Sequence, residues 1–271
     1  MARRELKDRV VVVTGAAGGL GRALCHAFGE RGARIALLDV DAAAVENTAK
    51  ALRDRGVEAI ALACDVTSRE ACEGAIAAVA EHFAAIDILV NNAGITHRSA
   101  FGDTDSAVYR RVMEVNYFGA LHCTKAALPW LRARRGQIIA ISSVAGFAPL
   151  LGRTGYAAAK HAMIGLFSSL RAELRSEGIT VLTVTPSFIR TDIDKNALDA
   201  DGQKTRHPQS TFGKVISPDA AAATIVRAAE RNKERLSLGT VAKVARLLSA
   251  LAPRLYEWLM TRSLGSELRR K

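Results

Sequence analysis

Short apolar runs alternate with longer amphipathic stretches through the first 185 residues. Val10–Thr14 reads VVVVT and predicts a buried strand, followed by a Gly-rich turn and a helix near Leu20–Arg31. The same rhythm predicts a strand at Arg34–Leu38, a helix at Ala42–Arg55, a strand at Glu58–Ala63 and a helix at Ser68–His82. Further strands are expected at Ile86–Asn91, Gln137–Ser142 and Thr180–Thr185, with long helices near Ala107–Arg132 and Tyr156–Glu177. The strands are continuous in Val, Ile and Leu rather than alternating, which predicts a parallel sheet covered by helices on both faces. No composition break precedes residue 185, so a single three-layer α/β/α domain is expected over about 1–235.

Two regions break the rhythm. Residues 187–217 are polar and irregular past the end of a strand, as expected of a substrate lid. Residues 236–271 read as a basic amphipathic helical tail. Val241, Val244, Ala245, Leu248 and Leu251 recur at helical spacing, bordered by Lys243, Arg246 and Arg254. Pro253 must break or kink that helix, and a further turn or two carrying Leu255, Trp258 and Leu259 should follow.

Composition narrows the class. With 49% hydrophobic residues in 271, the chain can build a large core, and a disordered protein is excluded. The net charge of +11 permits an anionic partner, but residues 231–271 hold ten Lys and Arg against three Glu. The basic excess therefore belongs largely to the tail. Cys25, Cys64, Cys72 and Cys123 fit no metal spacing and read as small core side chains, and no metal site is expected. The start is too charged for a signal peptide, and no apolar stretch approaches ~18 residues, so a cytoplasmic protein with reduced thiols is expected.

Two clusters carry chemistry. The first strand runs into Thr14-Gly15-Ala-Ala-Gly18-Gly19-Leu20-Gly21 and then a helix. Such a turn lets the backbone approach a pyrophosphate, with free helix N–H groups facing it. Asp39, 18 residues beyond Gly21, stands where a carboxylate accepts from adenosine ribose hydroxyls, and it disfavours the 2′-phosphate of NADP. Val40 offers no compensating cation. The alternative is that Asp39 caps the following helix, a role that Asp41 also fits. The second cluster is Ser143 with Tyr156-Ala-Ala-Ala-Lys160. Tyr and Lys at i and i+4 share a helix face, where an ammonium favours the phenolate. Alone, that pair also suits an exposed helix.

Together, T-G-x-x-x-G-x-G at 14–21, Asn91-Asn92-Ala93-Gly94, Ser143 and Tyr156-x-x-x-Lys160 resemble the short-chain dehydrogenase/reductase family over about residues 8–230. The resemblance implies a doubly wound Rossmann-type fold, a nicotinamide cofactor, and reversible oxidation of an alcohol to a carbonyl. It implies that Gly15, Gly18, Gly19, Leu20 and Gly21 form the phosphate loop. Asp65 and Val66 would contact adenine, and Asn92, Ala93 and Gly94 would lie under the ribose. Pro186, Ile189 and Thr191 would hold the nicotinamide carboxamide, although the family's Pro-Gly is Pro186-Ser187 here. For catalysis it implies Asn116, Ser143, Tyr156 and Lys160. Tyr156 would exchange the substrate proton, Ser143 would hold the substrate oxygen, Lys160 would lower the Tyr156 pKa and hold the nicotinamide ribose, and Asn116 would relay protons through water.

The expected enzyme prefers NAD over NADP and acts on a small-molecule alcohol or ketone. Apolar candidates around the substrate (Ile95, Ala145, Phe147, Leu150, Leu151, Phe188) favour a hydrophobic one, such as a steroid, lipid or terpenoid. For Arg153 and His97 the expected reading is solvated surface, with contact to a substrate carboxylate as the alternative. A homodimer or homotetramer is implied by the resemblance. A non-catalytic cofactor sensor on the same fold is the alternative, and the Tyr–Lys pair speaks against it. A nucleic-acid partner is not expected, because the tail's cations are interleaved with an apolar stripe and few aromatics. That stripe leaves two readings open: docking on the protein itself or on another subunit, or peripheral contact with an anionic membrane.

Overall fold

The computed structural model describes residues 3–205, 213 and 215–265. Part of the expected lid, at 206–212 and 214, lies outside the described residues, as do 266–271 with the tail's last cations. Seven parallel strands form one sheet: β1 (Val10–Thr14), β2 (Arg34–Asp39), β3 (Ala59–Ala63), β4 (Ile88–Asn91), β5 (Gln137–Ile141), β6 (Thr180–Pro186) and β7 (Arg235–Leu238). Their order is β3-β2-β1-β4-β5-β6-β7. Successive residues of each strand enter opposite layers. Val11, Val13, Ile35, Leu37, Ile88 and Val90 pack under α1 (Gly19–Gly29), α2 (Ala42–Arg53) and α7 (Pro218–Glu230). Val10, Val12, Ala36, Leu38, Leu89 and Ile138 pack under α3 (Arg69–Phe83), α5 (Gly119–Arg134) and α6 (Thr154–Glu173). Both faces are thus buried, which is why the strands read as unbroken apolar runs. All four cysteines are buried and free within these layers.

Three expectations need correction. The sheet has seven strands, not six: Arg235–Leu238 pairs with β6, with Thr183 opposite Arg235 and Pro186 opposite Leu238. RLSL is short and only half apolar, so it lacks the run that marks the other strands. The strand crosses the expected boundary at 235/236, and the helical tail begins beyond it. The helix expected near 107–132 is α4 (Ser106–Met113) and α5, joined by a single π-helical turn at Glu114–Phe118. Such a turn adds a residue to the helical circuit and is frequent at functional sites.

The tail consists of α8 (Thr240–Leu251) and α9 (Pro253–Leu264), with Pro253 starting the second helix as its ring geometry allows. Only Ala242, Ala245 and Leu264 are fully buried, whereas Val244 and Leu251 of the expected stripe are exposed. Small alanines let α8 approach the body closely, so the buried face is the narrow one. Arg246 does not border the stripe in solvent. It turns inward, donating to Ser237 Oγ at 3.0 Å and Thr185 Oγ1 at 3.3 Å, with its guanidinium 4.2 Å above the Phe147 ring.

At the sheet's amino-terminal edge, Asp87 is fully buried and accepts from Val10 N at 3.0 Å, Arg9 at 2.8 Å and Arg134 at 3.1 Å. Burial pushes its pKa up, but the Val10 amide and the two guanidinium groups outweigh burial and hold it below the ordinary carboxylate value. Its stabilising contribution is therefore present above the unfolded carboxylate pKa and is lost as pH falls through the lower folded value. Asp87→Ala should lower stability by about 2 kcal/mol in urea unfolding at neutral pH, because it strands the buried Val10 amide and removes the shared partner of the half-exposed Arg9 and Arg134. A loss under about 1 kcal/mol would contradict this role.

Candidate active site

Strand order reverses between β1 and β4, and ligands of such sheets bind at that switch point, beyond the carboxyl ends of the strands. A cleft of about 1390 Å³ lies there. It is lined by every expected cofactor residue, from Gly15 to Thr191, together with Ser143, Tyr156 and Lys160. Asn116 stands behind the wall.

The cleft floor is tied by one hydroxyl. Thr14 Oγ1 donates to Val90 O at 3.3 Å and accepts from the amides of Asn92 and Ala93, each at 3.0 Å. The Asn92 side chain donates to the carbonyls of Thr14 and Gly15, each at 3.0 Å. Gly15 has φ +65°, and a Cβ there would stand 2.8 Å from Ala93 Cα. A Cβ at Gly21 would meet Gly15 O at 2.0 Å, so α1 starts this close to the turn only without side chains. Gly18 precedes α1 without a side-chain cap, and no acid sits in its first turn. Its free N–H groups and positive dipole end therefore face the cleft, a site suited to a phosphate.

Asp39 closes the other side of the turn. One carboxylate oxygen accepts from Ala17 N at 2.9 Å, the other from Asp41 N at 3.1 Å. The cap of α2 is Asp41, which accepts from Ala44 N at 3.0 Å. Asp39 is thus free of the capping role and anchors the glycine turn while lining the cleft. Asp65 folds its own turn, accepting from Thr67 N at 2.9 Å and Thr67 Oγ1 at 2.8 Å. Thr191 approaches from the loop after β6, with its Cγ2 3.2 Å from where a Cβ of Gly19 would lie. Ser187, in place of the family's glycine, fits because residue 239 is glycine: a Cβ there would meet Ser187 Oγ at 2.5 Å.

At the other end, the carboxyl end of β5 meets α6. Ser142 Oγ donates to Lys160 O at 3.1 Å, and the Ser143 hydroxyl reaches the Tyr156 hydroxyl. Lys160 is buried, donating from Nζ to Ile141 O at 3.0 Å, and lies 5.6 Å from the Tyr156 ring centre. Burial pushes Tyr156 up to about 12; Ser143 and Arg153 pull it down, and Asp194 raises it. Burial likewise lowers Lys160 to about 7. Besides burial, the groups acting on the phenol in this fold are Ser143, Arg153 and Asp194, and Lys160 Nζ is aimed at a carbonyl. Asn116, fully buried in the π-helical turn, donates to Ile95 O and Val112 O, each at 2.8 Å. Its Oδ1 has no protein partner and lies 2.6 Å from where a Cβ of Gly94 would be, with Lys160 Nζ at 3.4 Å from the same point.

Arg153 and His97 are not solvated surface. His97 is fully buried, and its Nε2 accepts from Gly155 N at 2.9 Å, which supplies a partner for an amide of the first turn of α6. Burial, then the charge of Arg153, lowers its pKa to about 4, so it is neutral. Arg153 is 2% exposed and lines the cleft beside Tyr156. Sequence reasoning also missed the share of the tail in the cleft: Val241, Val244, Leu248, Tyr256, Leu259 and Met260 line it. Helical spacing identified an apolar stripe but carries no signal for what the stripe covers. Of the apolar substrate candidates, Ile95, Ala145, Leu150 and Phe188 line the cleft, whereas Phe147 and Leu151 do not.

A profile of the "short chain dehydrogenase" family matches residues 9–202. Dehydrogenase/reductase SDR family member 7B of Bos taurus is 39% identical over 278 residues, covering 99% of this chain and 85% of its own. Dehydrogenase/reductase SDR family protein 7-like of Anopheles gambiae is 36% identical, covering 95% and 83%. Among solved structures, a short-chain dehydrogenase from Streptomyces avermitilis superposes with a TM-score of 0.77 at 31% identity, over 94% of this chain and 98% of that one. A short-chain dehydrogenase/reductase from Burkholderia phymatum, crystallised with NAD, has the same fold, with a TM-score of 0.83 at 24% identity over 93% and 96%. With the expected motifs gathered in one cleft, these matches establish that the chain belongs to the short-chain dehydrogenase/reductase family of oxidoreductases acting on CH–OH groups.

Proposed function

We propose that the protein interconverts a hydrophobic secondary alcohol and its ketone, with NAD as the preferred cofactor. The observation that carries this reading is the convergence, in one cleft, of an uncapped helix amino terminus, Asp39 and the Ser143–Tyr156 pair. The residues fit a nicotinamide dinucleotide. The α1 terminus suits a pyrophosphate, Asp39 suits ribose hydroxyls, and the partnerless Asn116 Oδ1 suits an ordered water beside Lys160. When bound, the nicotinamide supplies the hydride acceptor or donor.

The chain's own part is proton and charge handling. Ser143 holds the substrate oxygen and stabilises charge developing on it. Tyr156, held protonated, is the donor to that oxygen in reduction; oxidation requires its phenolate. Lys160 would hold the nicotinamide ribose, and Asn116 would place the water that exchanges protons with solvent. Past Ser143 and Tyr156, Leu150, Phe188, Leu248 and Met260 make the wall apolar, which supports a steroid, lipid or terpenoid-like substrate. Association into a homodimer or homotetramer, as the family resemblance implies, is part of the proposal.

Tyr156→Phe should abolish turnover while leaving the fold and cofactor affinity nearly intact, measured by reduced-cofactor absorbance and equilibrium titration. Wild-type turnover would overturn the mechanism. Ser143→Ala should slow turnover by about ten- to a thousandfold.

Cofactor preference should favour NAD by kcat/KM, and Asp39→Ala with Val40→Arg should move it toward NADP. Because Asp39 also anchors Ala17, that pair should weaken binding of both cofactors somewhat. A native preference for NADP would refute this assignment to Asp39.

Lys160 gives a signed pH effect. Its folded pKa of about 7 lies below its ordinary 10.5, so the unfolded chain binds more protons between those values and stability rises with pH across that window. Lys160→Met should flatten that rise in urea titrations of the cofactor-free protein. An identical slope in both proteins would show that Lys160 stays charged in the fold.

A further inference from the structure

One group of large apolar side chains is covered by neither sheet nor cleft. Leu247 is 61% exposed, Leu251 76%, Leu255 47% and Trp258 54%, all on α8 and α9. The two helices are joined only by Ala252, whose amide bonds Leu248 O while its carbonyl accepts from Tyr256 N. Single exposed leucines are ordinary; four on one short helical pair mark an interaction surface.

Two further observations identify what that surface meets. Lys243, Arg254 and Arg262 are exposed on the same pair, Glu257 is the only acid between residues 240 and 264, and the Arg262 guanidinium lies 5.3 Å over the Trp258 ring. Val244 and Leu259 are both solvent-exposed and part of the cleft lining, so the outer apolar surface is continuous with the cleft mouth. We propose that α8 and α9 seat this outer surface in the interface of an anionic lipid bilayer, with the apolar mouth of the cleft opening onto the hydrocarbon. A symmetric contact with a second copy would set this net basic face against the same net basic face, whereas anionic headgroups complement Lys243, Arg254 and Arg262. Each helix has 12 residues, and among the described residues no helix is long and apolar enough to cross a membrane. The pair lies in the plane of the interface, with Trp258 at headgroup depth.

The consequence is a route for substrate. A hydrophobic alcohol dissolved in the bilayer passes the rim of Val244 and Leu259 to Tyr156 without crossing water. That consequence rests on the proposed substrate class; the lipid contact does not.

The test uses the full chain and vesicles of phosphatidylcholine with phosphatidylserine, compared with phosphatidylcholine alone, at low ionic strength. The protein should co-sediment with the anionic vesicles and be released by salt. Leu251→Glu/Leu255→Glu/Trp258→Glu should lower the bound fraction by about tenfold or more while leaving thermal unfolding and turnover of a water-soluble alcohol unchanged. In a Trp130→Phe chain, Trp258 is the sole tryptophan, and its emission should shift to the blue on adding anionic vesicles. This second reading needs no change to the proposed surface, so it decides the matter even if the triple variant misfolds. The proposal is overturned if the chain stays in the supernatant and Trp258 emission does not move. It is equally overturned if the folded triple variant binds as the wild type does, or if that variant changes only the oligomeric mass, which would assign the surface to a second copy. Vesicle binding without turnover of any alcohol would instead count against the proposed function alone.

Discussion

The Thr14 hydroxyl carries more of this architecture than its size suggests. By bonding Val90 O and the amides of Asn92 and Ala93, it fixes the gap between β1 and β4 where the strand order reverses. The glycine turn and the Asn92–Gly94 segment are thereby held face to face, with Gly15 pressed on Ala93. Gly94, at the end of that segment, has Asn116 Oδ1 and Lys160 Nζ beside it. A distortion at Thr14 would therefore reach both the dinucleotide half and the proton-handling half of the cleft. A threonine suits the position because one hydroxyl can donate once and accept twice in a buried corner.

The second constraint is electrostatic. Tyr156 and Lys160 share a helix face, yet burial pushes their pKa values to about 12 and about 7, so the phenol stays protonated at neutral pH while the amine lies near its midpoint. The spacing of a Tyr-x-x-x-Lys pair establishes proximity; it does not establish that charge on one ionises the other. In this arrangement Ser143 and Arg153 act on the phenol, and Lys160 is committed to Ile141 O.

The helices and strands of the sheet were legible because each is a long run with one period, buried on known faces. The dinucleotide turn was legible because its glycines are demanded by close backbone approach, as at Gly15 and Gly21. What escaped was whatever depends on a distant partner. RLSL becomes β7 only because β6 leaves an edge to pair with. Asn116 lies in a π-helical turn that no local propensity marks. Arg153 and His97 look like surface residues in sequence because their burial is created by the packing around the start of α6. The break at Pro253 was legible, but a 12-residue helix follows it where a turn or two is expected, and the buried face of the tail is the narrow alanine face. Its leucines are divided between cleft lining and solvent.

In the proposed reaction hydride leaves the carbinol carbon for the nicotinamide while the chain manages the proton at the oxygen. Isotopic transfer follows that hydride. With an accepted alcohol bearing deuterium on its carbinol carbon, NMR of the product cofactor should show the label at C4 of the reduced nicotinamide, on one face only. Label released to water instead, or product formed with an unlabelled cofactor, would contradict the account.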